Sequence, residues 1–267
     1  MANITAEMVK ELREKTGVGM MDCKKALVES DGNMDLAIEN LRKAGIAKAA
    51  KKAGRTAKQG CIVGLIEDNV GVMVELLCET DFAASNERFR AFAAAVAQRV
   101  AREYSVDGDV SQSVAEKEKA GITELIAVIG ENMQLRRALR WQATGKLSSY
   151  VHMGGRIVVL AETAGEAPPN TLADMCMHIA AFSPRYIGPG DVPADVLAKE
   201  KEIAAAQVVG KPANIVDKIV MGKLSKWYTE TCLLQQPWVR DDKTSLAKVA
   251  PALKVQRFLR WQVGEEI

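Results

Sequence analysis

The sequence predicts an α+β protein on three observations. Residues 5–45 place apolar side chains at helical spacing, residues 61–78 switch to the alternating period of strands, and two long helical segments flank a Gly210-Lys211-Pro212 stop. The chain is 267 residues long, enough for more than one packed unit.

Taken in order, Thr5 can cap a first helix whose apolar face uses Met8, Val9 and Leu12, and Gly17 and Gly19 end it. A second helix is expected over 20–29. Asp31-Gly32-Asn33 makes a turn and cap, and Leu36, Ile38 and Leu41 mark a third helix that Gly45 should stop. This trio, residues 1–46, has a small core and is expected to be marginally stable. Residues 47–59 hold Lys48, Lys51, Lys52, Arg55 and Lys58 without one bulky apolar side chain. They read as a solvated linker in preference to a basic site for RNA or an acidic partner.

From Gly60 a hairpin of strands, 61–66 and 71–78, turns at Glu67-Asp68-Asn69, and a helix over 86–103 packs Phe89, Phe92, Val96 and Val100 onto it. A helix near 122–129 follows. Strand-like stretches come at 133–141 and 156–162, with Gly145 and Gly154-Gly155 as turn residues, then a helix over 171–182. Pro184 and Pro189 introduce helical segments at 196–208 and 212–228, expected to fold antiparallel with Val196, Ile203 and Ala206 facing Ile215, Ile219 and Val220. The sheet unit should resume near Thr231 and finish with a strand over 257–263. The boundaries are thus 60–142 for a first core subdomain, 143–184 with 230–267 for a second, and 185–229 for an inserted helical hairpin.

Composition excludes several classes of function. Hydrophobic residues make up 48%, charged residues 26%, and net charge is +2, too balanced to make nucleic acid the main partner. Five cysteines, Cys23, Cys61, Cys78, Cys176 and Cys232, are dispersed without paired spacing and read as reduced cytosolic thiols. No secretory pattern opens the chain and no apolar run would span a bilayer, so a cytoplasmic protein is expected. His152 and His178 are too isolated for a metal cluster or a triad, and no G-x-x-x-x-G-K-[ST] loop is present to hold a nucleotide. His178 reads as a satisfied structural histidine, the thiols as buried small side chains, and no cofactor is expected.

One run stands apart. In Glu75-Leu76-Leu77-Cys78-Glu79-Thr80-Asp81-Phe82-Ala83 a strand ends on an acid beside an aromatic ring, so residues 80–85 form a loop that offers a bulky apolar side chain to water. Such a side chain finds its burial in a partner. The run resembles the Thr-Asp-Phe-Val signature of elongation factor Ts, the nucleotide exchange factor of the translation GTPase elongation factor Tu. The stretch Leu12-Arg13-Glu14-Lys15-Thr16-Gly17-Val18-Gly19-Met20-Met21-Asp22-Cys23-Lys24-Lys25-Ala26-Leu27 is similar to the family's other signature. Similarity continues through Ile129-Gly130-Glu131-Asn132, His152, Arg156-Ile157 and Gly210-Lys211-Pro212 to Arg260-Trp261-Gln262-Val263-Gly264-Glu265.

The resemblance implies a ubiquitin-associated-type (UBA-like) N-terminal domain, a duplicated α+β core with antiparallel sheets, and a coiled-coil hairpin. It implies a factor without covalent chemistry that binds elongation factor Tu, GDP-bound and nucleotide-free, in a 1:1 or 2:2 assembly, with no direct nucleic acid or membrane contact. Thr80, Asp81, Phe82 and Ala83 would dislocate the partner's Mg²⁺, with Ala83 standing where the family usually carries a larger aliphatic residue. Ile129 and His152 would support the contact, and Leu12, Val18, Met20 and Met21 would grip a separate helix. Burial in the trio's own core is the competing reading for these four, more for Leu12 than for the methionines. Two rivals remain: an RNA binder using the linker or Arg136, Arg137 and Arg140, and a thiol enzyme, which needs a low-pKa cysteine.

Overall fold

The computed structural model describes residues 4–208 and 213–266. The chain opens with α1 (Ala6–Thr16), α2 (Met20–Glu29) and α3 (Met34–Lys52), with Thr5 and Asn33 capping the first and third through their side-chain oxygens. Val9, Leu12, Val18, Cys23, Ala26, Leu27 and Ala37 make their common core.

The third helix does not stop at Gly45. It runs on to Lys52, because Gly45 serves close packing: a β-carbon there would sit 3.0 Å from that of Ala127. Residues 47–52 of the expected linker are therefore helical.

The first sheet takes β1 (Gln59–Glu67) and β2 (Val70–Cys78), joined at Asp68-Asn69, then β3 (Gly108–Asp109) and β4 (Met133–Gln142), in the order β1-β2-β4-β3. Between these come α4 (Asp81–Ala84), α5 (Glu87–Glu103) and α6 (Ser111–Ile129). α5 lays Phe89, Ala93, Val96, Ala97 and Val100 on one face of the sheet. α6 is longer than its apolar C-terminal half announces, since its first half buries Glu118 by pairing it with Arg99 at 2.6 Å.

The second sheet has β5 (Lys146–His152), β6 (Ile157–Ala164) and β7 (Lys254–Gln262) in that order, all antiparallel, with α7 (Thr171–Phe182) behind it. α8 (Ala194–Ala206) and α9 (Ala213–Thr231) pack as the hairpin, and the one-turn α10 (Leu246–Val249) precedes β7. In the hairpin Ala204, Val208 and Leu224 are buried and Val196, Ile219 and Val220 half-buried, while Ile203 and Ala206 are exposed. The run Ile203-Ala204-Ala205-Ala206 is apolar on every track, so periodicity alone cannot choose its inner face. The Gly210-Lys211-Pro212 break and the side chain of Ile215 lie outside the described residues.

The two sheets meet face to face through Ile62, Met73, Trp141, Val158, Leu160 and Trp261. Around this layer the two halves repeat one arrangement. A buried glutamate on each central strand, Glu75 on β2 and Glu162 on β6, accepts from the Nε of the paired arginine, Arg137 at 2.6 Å and Arg257 at 2.7 Å. Each strand pair slips register just beyond that glutamate. Each arginine then reaches across: Arg137 stacks on Trp261 at 4.3 Å and Arg257 on Trp141 at 4.4 Å. Their Nη2 atoms donate to the carbonyls of Gln262 and Gln142 respectively. Arg136 and Arg137 are spent on Glu75 and Glu265, and Arg140 is buried, so this cluster offers no cationic surface to RNA.

Candidate functional site: an exposed acid and aromatic on a clamped turn

β2 is buried along nearly its whole length and delivers the chain to the surface at Thr80. The segment expected as loop holds α4, a single helical turn. Thr80 caps it, its Oγ1 accepting from the Ala83 amide at 3.2 Å, and Asp81 lies in the first turn, where a carboxylate suits the exposed N–H groups.

Phe82 is 85% exposed, the most exposed of the large apolar side chains among the described residues. Ala83 and Ala84 point the other way into the core of the first sheet. Ala83 thus anchors the turn from within and is not on its outer face.

The turn is tied at both ends. Glu131, just beyond α6, accepts three hydrogen bonds: from the Glu79 amide at 3.1 Å, the Thr80 amide at 2.9 Å and the Thr80 hydroxyl at 2.6 Å. Glu79 answers by accepting from the Asn132 amide at 2.6 Å, and it pairs with Arg55 at 3.5 Å. At the far end Arg90 Nε donates to the Ala84 carbonyl at 3.1 Å. Glu79, Glu131 and Asn132 were not singled out from the sequence, although the Ile129-Gly130-Glu131-Asn132 stretch carried the signal.

The other expected site residues fall in three places. Ile129 is half-buried at the end of α6, in a cleft shared with Gly17, Asn86 and Arg88 beside the turn. His152 is exposed at the end of β5, its Nδ1 3.2 Å from the Tyr150 hydroxyl, on a turn whose Gly154 lies against the Arg90 guanidinium. Arg90 therefore adjoins both the acid–aromatic turn and the His152 turn. In the helical trio, Leu12 and Val18 belong to the core, which favours the competing reading for them. Met20 and Met21 remain outside, the latter 77% exposed.

The histidine and thiols weighed from the sequence lie away from this turn or in the interior. His178 is fully buried between Phe182 and Trp238, its Nε2 2.9 Å from Gln236 Oε1, and its Nδ1 has no hydrogen-bond partner. Burial lowers its pKa and keeps the ring neutral. It is thus a half-satisfied core histidine. All five cysteines are buried, and burial pushes the thiols of Cys78 and Cys176 up to about 12 and that of Cys61 to about 11, opposite to what a nucleophile needs. Among the described residues no cluster of His, Cys, Asp and Glu could hold a metal, and no helix is long and apolar enough to cross a membrane.

The fold and its site define an α+β protein that carries an exposed acid–aromatic pair on a turn hydrogen-bonded at both ends. The family profile of elongation factor TS matches residues 79–265. The chain is 47% identical to elongation factor Ts of Clostridium perfringens over 99% of its own length and 94% of that protein. It is 41% identical to that of Protochlamydia amoebophila, covering 99% and 100%, and 44% identical to that of Tolumonas auensis, covering 100% and 93%. The chain belongs to the elongation factor Ts family, whose members are translation elongation factors.

Proposed function

We propose that this chain is the guanine nucleotide exchange factor of elongation factor Tu in the cytoplasm. It binds the GDP form, promotes GDP release and leaves a nucleotide-free complex that GTP resolves. The observation that carries the reading is Phe82, largely in water on a turn anchored at Thr80, Ala83 and Ala84.

Entering between helices of the GTPase, the ring gains about 1.5–3 kcal/mol from full burial, which favours a displaced helix. Asp81 acts beside it, where the partner organises Mg²⁺. Without that ion the nucleotide's phosphates lose their main charge partner. Ile129 supports this contact and His152 makes a second one away from the nucleotide. The unit 1–46, joined through 47–59, grips a separate helix through exposed Met20 and Met21, whose flexible thioethers suit an adaptable apolar surface. The core divides as 60–142 and 143–184 with 230–267, and 185–229 projects as the hairpin.

Linkage fixes what such a device does. If the factor weakens nucleotide affinity by some ratio, nucleotide weakens factor affinity by the same ratio, so exchange is accelerated in both directions and the cell's excess GTP sets the outcome. No covalent step is involved, and the factor is not an enzyme in that sense.

Stopped-flow release of a fluorescent GDP from elongation factor Tu tests the reading. The intact protein should accelerate release strongly, and Asp81→Ala and Phe82→Ala should each blunt it by about tenfold or more. Unchanged release with the intact protein would refute exchange.

A further inference from the structure

We propose that Glu131 is the positioning residue of the acid–aromatic turn, setting where Asp81 and Phe82 stand without itself meeting the partner; the inference rests on the exchange reading above. α4 is four residues long, far below the length at which a helix holds itself together in water. Phe82 points away from the protein and contributes almost nothing to holding the turn. The geometry of 80–84 therefore comes from its anchors. Ala83 and Ala84 fix the depth of the turn from inside, and Arg90 holds its last carbonyl.

The entry into the turn is set by one carboxylate. Both oxygens of Glu131 are taken by donors at the junction, Oε2 by the Glu79 and Thr80 amides and Oε1 by the Thr80 hydroxyl. The last bond matters most. By donating to Glu131, the Thr80 hydroxyl is oriented so that its lone pair accepts from the Ala83 amide at 3.2 Å. Glu131 thus fixes the cap, and the cap fixes the turn that carries Phe82.

The connection reaches further back. Glu131 follows Gly130, the left-handed cap of α6, whose carbonyl accepts from Lys52 at the end of α3. Glu79, the other half of the clamp, pairs with Arg55 just beyond α3, and Asn132 Nδ2 donates to the Arg55 carbonyl at 2.7 Å. The clamp stands where the N-terminal helices meet the core.

Glutamine at 131 keeps the size but loses the charge, and its oxygen can serve the two backbone amides only by turning its amide nitrogen to the Thr80 hydroxyl, which must then accept where it now donates and loses its charge-assisted orientation. The test uses the full-length protein and fluorescent GDP release from elongation factor Tu, as a cycle in two backgrounds. Glu131→Gln should lower the acceleration by about tenfold in the otherwise intact protein, and by less than twofold when Asp81→Ala and Phe82→Ala are already present. Thr80→Val should reproduce the loss and Thr80→Ser should restore it. Thr80 is exposed, so that pair reads the clamp even if Glu131→Gln impairs folding.

Amide hydrogen exchange provides a readout independent of the partner: Glu131→Gln should speed exchange at Thr80 and Ala83 while leaving Leu76 protected. An unchanged release rate with Glu131→Gln, or equal losses in both backgrounds, would overturn the positioning role while the exchange reading stands. Failure of the exchange reading shows separately, as no acceleration by the intact protein.

Discussion

Replacing Glu75 by alanine removes a carboxylate with no exposed surface that accepts from Arg136 Nε at 2.9 Å, Arg137 Nε at 2.6 Å and the Gly264 amide at 3.0 Å. The two arginine side chains it leaves behind are only 17% and 13% exposed, so water cannot easily take its place. Removing one partner of a buried ion pair typically costs about 3–5 kcal/mol. Here Arg137 keeps Glu265 at 2.8 Å and Arg136 keeps the Glu265 carbonyl, which puts the expected loss at about 3–4 kcal/mol. The matching substitution in the other half, Glu162→Ala, should cost less. Arg257 is 31% exposed and retains Asp107 at 3.1 Å, and of the two amides freed by the change that of Thr144 lies at the surface while that of Gly145 is half-buried. About 1–2 kcal/mol is expected for that loss. Urea denaturation followed by tryptophan fluorescence measures both, and thermal midpoints should fall by about 2–4 °C per kcal/mol. If Glu162→Ala were as destabilising as Glu75→Ala, residual solvation of the arginines would not be what sets these costs, and the argument would fail.

Three further outcomes are expected. Phe82→Ala should leave the urea midpoint almost unchanged, within about 0.5 kcal/mol, while Phe89→Ala, fully buried under the first sheet, should cost about 3–5 kcal/mol; comparable losses would contradict the exposed turn. Burial raises the carboxyl pKa of Glu162, but bonds from the Gly145 amide, Arg257 and the Thr144 amide outweigh it and hold it below the usual value. Its stabilisation is therefore complete above the unfolded value of about 4.3 and is lost as pH falls through the lower folded value. A urea series from about pH 6 downward should show this loss, and Glu162→Gln should flatten it. Finally, the raised pKa values of Cys61, Cys78 and Cys176 predict slow alkylation of the native protein at pH 8, and a single fast-reacting thiol among them would refute that.

Where side-chain pattern and burial coincide, the sequence was a good guide. α5 and α7 were bounded to within a residue because the apolar stripe of α5 starts behind the Asn86 cap and that of α7 lies between Pro168-Pro169-Asn170 and Pro184, and the hairpin of β1 and β2 followed from two runs rich in β-branched and apolar residues around a turn. The departures have local causes. Gly45 resembled a stop signal, but a glycine that admits a neighbouring helix looks the same in sequence as one that ends its own. β5 escaped notice because it is an edge strand, and Lys146-Leu147-Ser148-Ser149-Tyr150 alternates too weakly to stand out. Arg136, Arg137 and Arg140 suggested a surface patch, since nothing local announces that Glu75, some sixty positions earlier, turns two of them inward. At the site, Asp81 and Phe82 were legible as an acid and a ring with nowhere to be buried. The clamp was not, because hydrogen bonds between segments fifty residues apart leave no periodic trace.

The repeated core explains why only one of its halves carries such a site. Arg137-Ala138-Leu139-Arg140-Trp141-Gln142 and Arg257-Phe258-Leu259-Arg260-Trp261-Gln262 differ only at their second residue, and this was the sequence signal that could have revealed the repeat. Each copy must keep its arginine and tryptophan because each arginine stacks on the other copy's ring, so a change in one half is felt in both. No such constraint acts on the segments that leave the central strands. After β2 the chain enters the capped turn that exposes Phe82; after β6 it runs through Gly165-Glu166-Ala167-Pro168-Pro169-Asn170, where adjacent prolines disfavour a helical turn and no aromatic stands out. The reciprocal interface supplies rigidity to both halves alike. The turn of one half is thereby free to specialise, and on the proposed exchange reading a stiff frame behind the exposed ring would let burial of that ring act on the partner instead of being absorbed by movement of the turn itself.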